Sequence, residues 1–177
     1  PNIHLIMTNG TATRDADIFY IDETTTGWDN GYDSSIFGGI TNEFAIYTHA
    51  VADGNGRNLG IQSLPDNNYE NMIIPVGVNA VSGTTITIDA ATNNFPEAIN
   101  IYLEDKLDNS FTLLDADANF STVLENNLSG IGRFYLHTTS NTLSTNDLEI
   151  SNNVSIYASS RKNLHIVGIH KGTTKLQ

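Results

Sequence analysis

Adjacent acids and histidines are the residues of this chain whose types could carry out acid–base or metal chemistry. Asp22–Glu23 and Glu104–Asp105 are neighbouring acids. Neighbours on a strand point to opposite faces, so neither pair forms a general acid and a nucleophile by itself. The histidines have no H-x-H or HExxH spacing, and we interpret them as unrelated surface or edge residues; they are His4, His49, His137, His165 and His170.

Motifs for nucleophilic catalysis and phosphate binding are also missing from the sequence. It contains no G-x-S-x-G, no P-loop and no G-x-G-x-x-G. Without cysteine there are no disulfides and no zinc sites built on thiolates. We therefore predict that the chain is not an enzyme and has no catalytic or cofactor-binding residues.

Oxygen ligands for calcium are better represented. Asp115, Asp117 and Asn119 alternate along the chain, as the ligands at the start of a calcium loop do. An EF-hand would need glycine where Phe120 stands, and its final glutamate would come one place after Glu125. Two interpretations remain open: these three residues bind one structural calcium, or they form an ordinary cluster of Asx turns.

Aromatic side chains in one loop could form a carbohydrate platform. Trp28 and Tyr32 lie four residues apart in the turn-rich segment Asp22–Ile40. Flat, exposed rings bind sugars by stacking on their apolar faces. A single tryptophan in a long loop can equally pin that loop to the core. The platform requires both rings to be exposed and coplanar, and burial of both would exclude it.

Composition and charge restrict the class of partner. The chain has 177 residues, 39% of them hydrophobic and 16% charged, and a net charge of −12. All 20 acids lie in residues 1–160, whereas residues 161–177 carry four basic residues and no acid. Nucleic-acid binding needs clustered lysine and arginine, so the acidic body is not expected to bind nucleic acid. No run approaches the roughly 20 apolar residues of a membrane helix.

Short alternating segments separated by turn residues dominate the chain, and this pattern predicts β-strands. We expect an all-β fold, an antiparallel β-sandwich of jelly-roll or immunoglobulin-like type. The predicted strands are Ile3–Met7, Ile18–Ile21, Glu43–Val51, Leu59–Leu64, Met72–Val78, Thr84–Ala90, Ile99–Glu104, Phe111–Leu114, Arg133–Thr138, Val154–Ala158 and Asn163–Ile169.

Two segments are predicted to depart from this pattern. Asp117–Asn127 has apolar residues at helical spacing (Phe120, Val123 and Leu124), which indicates a single helical turn. Asp22–Ile40 is interpreted as a long irregular loop, which is either functional or conceals a strand. A polar stretch near the C-terminus predicts a β-sandwich module over residues 1–145 and a linker over 146–151. Residues 152–177 would then begin a second, small β-sandwich.

Three phrases in the second half of the chain carry a resemblance to a known class. They are IYLEDK at 101–106 with Phe111 and Leu114, GRFYLH at 132–137, and the pair VSIYA at 154–158 and LHIVG at 164–168. Together and in this order they resemble the C-terminal region of proteins exported by the type IX secretion system of Bacteroidota. In that class a β-sandwich is followed by a C-terminal sorting domain.

The resemblance implies a non-catalytic module of a secreted or outer-membrane cell-surface protein, with a role in adhesion as one option. The partner would be the type IX outer-membrane machinery, and the sorting signal would include Val154, Ile156, Tyr157, Leu164, Ile166 and Gly168. The alternative is a carbohydrate-binding module of an exported polysaccharide-active enzyme, with a polysaccharide or cell-surface ligand. The class continues into further strands, so we expect this sequence to be a fragment of a longer protein.

Overall fold

Every regular element of the protein is a β-strand in the part of the chain that the structure describes. This computed structural model describes residues 1–36, 43–53, 56–143, 155–160 and 163–167, the last two ranges as strands and their pairing. The prediction of an all-β fold is confirmed. The strands are β1 (Asn2–Thr8), β2 (Thr13–Ile21), β3 (Ser34–Ser35), β4 (Ala45–Thr48), β5 (Leu59–Pro65), β6 (Met72–Ala80), β7 (Thr85–Asn93), β8 (Asn100–Asp105), β9 (Ser110–Leu113), β10 (Phe120–Val123), β11 (Leu128–Thr139), β12 (Ser155–Ser160) and β13 (Asn163–Val167).

Eleven of these strands form one large sheet. Its order is β10-β7-β1-β2-β5-β4-β6-β11-β8-β9, with β3 paired to β5 beside this path. The two edge strands, β9 and β10, are consecutive in the chain, and the short turn that connects them contains an isolated bridge between Asp115 and Ala118. The sheet therefore curls until its edges approach each other. The jelly-roll or immunoglobulin-like sandwich remains a prediction.

One hydrophobic core fills the inside of the curled sheet. Alternate residues of β1, namely Ile3, Leu5 and Met7, are fully buried, as the period of two along a strand requires. The Phe120 ring on edge strand β10 packs edge-to-face on the Phe134 ring of β11, with centroids 5.4 Å apart. Because these strands are far apart in the sheet order, this contact shows that the sheet closes over its own core.

The pairing of β2 with β5 is parallel, which the antiparallel prediction did not include. The chain leaves β2, passes through β3 and β4, and enters β5 from the same end at which β2 began. Pairing runs from Asp17 opposite Ile61 to Ile21 opposite Pro65. Parallel neighbours need a long crossover, and residues 22–58 supply it.

The structure differs from the sequence prediction in one irregular segment and resolves the other. The helical turn expected in Asp117–Asn127 is wrong: this segment contains the edge strand β10, because Phe120–Val123 pairs with β7. The long loop after Asp22 conceals a strand, which was one of its two interpretations: this is β3, whose Ser34 pairs with Ile61. Residues 37–42 lie outside the described residues. Both strands are short and have pairing partners that are distant in sequence, so local periodicity carries little signal for them.

Both faces of β8 are buried. Ile101 and Leu103 lie in the core, and Tyr102 and Glu104 on the other face are only 5% and 2% exposed. On this outer face Glu104 contacts His137 of β11 and Lys106, and the Phe111 ring of β9 packs on the His137 ring.

The C-terminal strands β12 and β13 form a separate two-stranded antiparallel sheet. β12 lies close to β11 but pairs with β13. The predicted linker at residues 146–151 lies outside the described residues, so the domain boundary stays a prediction. No helix in the described part of the chain has the length and apolar character needed to span a membrane.

Candidate functional site

The outer face of the β1–β2 hairpin carries one imidazole and two carboxylates. His4 is the direct register partner of Asp17, and Asp15 lies two residues away on the same face of β2. His4 Nδ1 and Asp17 Oδ1 are 2.8 Å apart. Among the described residues, these three form a group whose potential ligand atoms all lie within 4.8 Å of one another. The arrangement can hold a cation.

The turn of this hairpin explains why the three side chains meet. The turn runs from Asn9 to Ala12, and Asn9 Oδ1 accepts hydrogen bonds from the backbone amides of Thr11 at 3.0 Å and Ala12 at 2.8 Å. Gly10 follows Asn9 with a φ of 86°, which a residue with a side chain rarely adopts. This turn closes the pair Thr8–Thr13 and so sets the register of the whole hairpin.

The sequence interpretation missed this group, because it treated the five histidines as unrelated. A usable signal was present in the Asn9-Gly10 dipeptide between two alternating segments. Counting outward from a four-residue turn places His4 opposite Asp17. Ligands on paired strands have no fixed spacing along the chain, so patterns such as H-x-H and HExxH do not detect them.

A cleft opens beside this hairpin where the sheet forks. β5 pairs with β2 only from Asp17 onward, so the first residues of β2 have no partner on that side among the described residues. The cleft has a volume of about 270 Å³. Its lining includes Arg14, Asp15, Asp17, Ser34, Ser35 and Ile61. Arg14 Nη1 donates to the carbonyl of Thr13 at 2.8 Å, and Arg14 Nε is buried with no hydrogen-bond partner in the described part of the chain.

Two aspartates order the loop that leads into this cleft. The Asp33 carboxylate accepts the backbone amide of Ser63 at 2.6 Å and that of Asp29 at 2.8 Å. Asp29 in turn accepts the backbone amide of Thr25 at 2.6 Å. Asp33 is 8% exposed, and burial raises the pKa of its carboxyl although the two amide hydrogen bonds oppose that shift. The loop is therefore anchored to β5 through a side-chain carboxylate.

The two aromatic side chains of this loop differ in exposure. Tyr32 is 47% exposed, whereas Trp28 is half-buried. The guanidinium of Arg57 lies over the Trp28 ring, 4.3 Å from its centroid. Since one face of Trp28 is already in a cation–π contact, only Tyr32 presents a largely free ring. Because the Tyr32 ring is exposed, the condition that would exclude carbohydrate binding, burial of both rings, is not met. Carbohydrate binding therefore stays a hypothesis that depends on Tyr32.

The predicted calcium residues lie in a tight turn between the edge strands. Asp115 Oδ1 accepts the backbone amide of Asp117 at 2.9 Å, which is the hydrogen bond of an Asx turn. The backbones of Asp115 and Ala118 bond reciprocally around it. Asp115 also lines a recess of about 530 Å³ together with Asp89 and Glu97. The turn explains the Asp115 side chain without an ion, and calcium here stays a prediction.

The acids Glu104 and Asp105 lie on opposite faces of β8, as expected for strand neighbours. Asp105 is fully buried and accepts two hydrogen bonds from Arg133, from Nε at 3.0 Å and from Nη2 at 2.7 Å. Glu104 contacts His137 Nε2 at 2.8 Å and forms an ion pair with Lys106. Burial opposes the ionisation of Glu104, but its bonds to His137 and Lys106 outweigh burial and hold its pKa below the ordinary value.

The residues predicted as a sorting signal fall mainly on the small sheet. Ile156 and Tyr157 lie on β12, and Leu164 and Ile166 lie on β13. Ile156 is the register partner of Ile166, and Tyr157 of His165. The remaining two predicted residues, Val154 and Gly168, lie outside the described residues.

The fold and these sites define an all-β protein built on one large curled sheet with a separate C-terminal hairpin. No family model, no curated protein and no solved structure matches this chain.

Proposed function

We propose that this chain is a non-catalytic β-module of a bacterial protein exported by the type IX secretion system to the cell surface or the medium. Its C-terminal hairpin would be the beginning of the sorting domain read by the outer-membrane machinery. The observation that carries this proposal is the separate sheet formed by β12 and β13. These strands consist of the residues that resemble the sorting domain, and they do not extend the large sheet.

The state of the buried ionisable groups supports a non-catalytic role. Asp105 and Glu104 are almost completely buried, and each is engaged by cationic or imidazole partners. A general acid or base needs a proton that the substrate can reach. Carboxylates committed to ion pairs inside the fold serve stability and are poorly placed for that work.

A reporter fusion tests the export proposal. A fluorescent protein that carries an N-terminal signal peptide for transport to the periplasm would be fused to residues 141–177, extended to the natural end of the parent protein, and expressed in a gliding bacterium with an intact type IX system. We expect the reporter at the cell surface or in the medium. In a strain without the outer-membrane channel it should remain in the periplasm. A reporter that stays in the periplasm of both strains would contradict the proposal.

A matched pair of variants of this fusion ties export to the hairpin. Ile156→Asp places a charge at a register position opposite Ile166, which two-stranded pairing does not favour. We expect this variant to reduce export, while Asn141→Asp, located before the predicted linker, leaves export unchanged. Equal export of both variants would show that the hairpin is not part of the export signal.

Carbohydrate binding is the second candidate, and the exposed ring of Tyr32 favours it. Tyr32 is two residues from Ser34, which lines the cleft at the fork of the sheet. The loop that carries it is held by the Asp33–Ser63 hydrogen bond, so the ring needs little ordering on binding. Affinity electrophoresis on a panel of polysaccharides would measure retardation of the wild type and of Tyr32→Ala. Val123→Ala is the control, because Val123 is also exposed, at 59%, and lies on edge strand β10. Retardation that survives Tyr32→Ala would exclude Tyr32 as the sugar-binding ring.

A further inference from the structure

We propose that His4, Asp15 and Asp17 form a binding site for a divalent transition-metal ion on the outer face of the β1–β2 hairpin. This site is separate from the predicted calcium residues and from the sorting signal. It is also independent of the export proposal, since it belongs to the large sheet.

The geometry of the three side chains suits one small ion. Zinc binds imidazole nitrogen and carboxylate oxygen at about 2.0–2.2 Å, so two ligands of one ion lie roughly 3 Å apart. His4 Nδ1 and Asp17 Oδ1 are 2.8 Å apart, and all three groups lie within 4.8 Å of one another. The Asp15 carboxylate is the third potential ligand within this distance.

The backbone already holds the ligands in place. His4 and Asp17 lie directly opposite each other on paired strands, and Asp15 is the next residue of β2 on that face. Residues on hydrogen-bonded strands lose little backbone freedom when they bind an ion, because folding has already ordered them. The site thus depends on the hairpin register.

Local charge distinguishes these carboxylates from the buried ones. Asp105 is neutralised by Arg133, and Glu104 by Lys106. In the described part of the chain, neither Asp15 nor Asp17 forms an ion pair with lysine or arginine, although Arg14 lines the same cleft, and Asp17 is hydrogen-bonded to the imidazole of His4. Asp89 lies on the neighbouring strand β7, opposite Ile6, and adds a further negative charge on the same face. Two carboxylates without a cationic partner create a local potential that attracts a divalent cation.

The donor set identifies the class of ion. Imidazole suits zinc, copper, iron and nickel, whereas calcium and magnesium prefer ligand sets made of oxygen alone. Three protein ligands leave at least one coordination position for water. The side chains of His4 and Asp17 are 38% and 29% exposed, so an ion and its water can reach the site from solvent.

Isothermal titration calorimetry of the metal-stripped protein with zinc tests the proposal. We expect saturable binding with one ion per chain, and a melting temperature that rises with zinc concentration and then levels off. Calcium and magnesium at the same concentrations should bind at least tenfold more weakly. Absence of saturable zinc binding at millimolar concentration would overturn the proposal, as would equal affinity for calcium.

Substitutions identify the residues that bind the ion and distinguish a specific site from non-specific attraction to an acidic surface. His4→Gln, Asp15→Asn and Asp17→Asn should each weaken zinc binding by roughly tenfold or more, because loss of even an outer partner of a ligand costs about 10–100-fold. The matched control is Asp89→Asn, which removes one negative charge from the same face but no ligand. It should change the affinity by less than about threefold, since exposed charges are screened by salt.

Two results would show a non-specific acidic surface and reject the site. One is an equal loss of affinity in Asp89→Asn and Asp15→Asn. The other is zinc binding that survives His4→Gln. Asp15 is exposed, so Asp15→Asn should leave the fold intact. Circular dichroism of each variant checks that a loss of binding is not a loss of folding.

Discussion

Substitution of Gly77 by alanine should destabilise this protein strongly, although alanine is normally preferred to glycine within a strand. Gly77 on β6 is the direct register partner of Tyr47 on β4. A Cβ atom at position 77 would lie 2.0 Å from Tyr47 Cε2 and 2.4 Å from Cζ. Real Cβ atoms do not approach other atoms so closely. The glycine exists because the tyrosine ring lies directly over it.

Displacing the Tyr47 ring to relieve this clash would cost free energy, because the ring is packed and hydrogen-bonded. Tyr47 is 2% exposed, and its hydroxyl donates a hydrogen bond to Asn79 Oδ1 at 3.2 Å. Overpacking by a methyl group costs about 1–3 kcal/mol, and complete loss of a packed aromatic ring costs about 3–5 kcal/mol. We therefore expect Gly77→Ala to lower the free energy of unfolding by about 2–4 kcal/mol. In a domain of this size each kcal/mol lowers the melting temperature by roughly 2–4 °C.

Urea denaturation of four proteins would measure this effect: the wild type, Gly77→Ala, Tyr47→Ala and the double variant. Once the ring is gone the clash is gone, so alanine at position 77 should then be neutral or stabilising by about 0.5–1 kcal/mol. Gly60→Ala is the matched control, because its Cβ would meet Ile36 atoms at 3.6 Å, an ordinary contact. We expect that control to lie within about 0.5 kcal/mol of the wild type. The reasoning is refuted if Gly77→Ala matches Gly60→Ala, or costs the same in the Tyr47→Ala background.

Three further predictions concern the polar contacts of the fold. Arg133→Met should lower the free energy of unfolding by about 3–5 kcal/mol, because it leaves the Asp105 carboxylate buried without its partner. Urea denaturation of Arg133→Met, Asp105→Asn and the double variant should show that the two losses are strongly non-additive. Additive losses would contradict the pairing of these two residues. Glu104 has a lowered pKa, so its contribution to stability should be present above its ordinary value of 4.5 and lost as pH falls through its lower folded value. Urea denaturation between pH 7 and pH 3 should therefore show a flatter acid limb for Glu104→Gln, and an unchanged limb would contradict this assignment. Asp33→Ala should lower the free energy of unfolding by about 1–3 kcal/mol, because it leaves the buried Ser63 amide without its acceptor. It should also speed hydrogen exchange in the loop that precedes Asp33. Asp33→Asn retains one acceptor oxygen and should therefore lower the free energy of unfolding by less.

Local hydrophobic alternation was sufficient to predict most of the strands. β1, β5, β6, β7 and β11 each overlap a predicted strand, because one face of each is covered by the core and the period of two is visible in the sequence. The short strands β3 and β10 were missed. Each is only a few residues long, and each forms because a distant strand offers a free edge.

The candidate sites also divide into those that neighbouring residues predict and those that depend on which strands pair. The Asx turn at Asp115 and the opposite directions of Glu104 and Asp105 follow from neighbouring residues, and both were predictable. The group of His4, Asp15 and Asp17 needed a register, which the turn at Asn9 determines but which no spacing along the chain expresses. The cleft beside it needed the parallel pairing of β2 with β5, two strands separated by residues 22–58.

By itself, the sequence determined that this protein is all-β, acidic in its body and built from short strands separated by turns. These properties depend on side-chain periodicity, charge and turn chemistry, which act between near neighbours. Only the tertiary structure decided which strands pair and what covers the outer face of β8. The burial of Glu104 and Asp105 depends on His137 and Arg133, which lie about thirty residues away. Such contacts form only when β8 pairs with β11, and the free energy of burying a charge is then set by the partner that this pairing supplies.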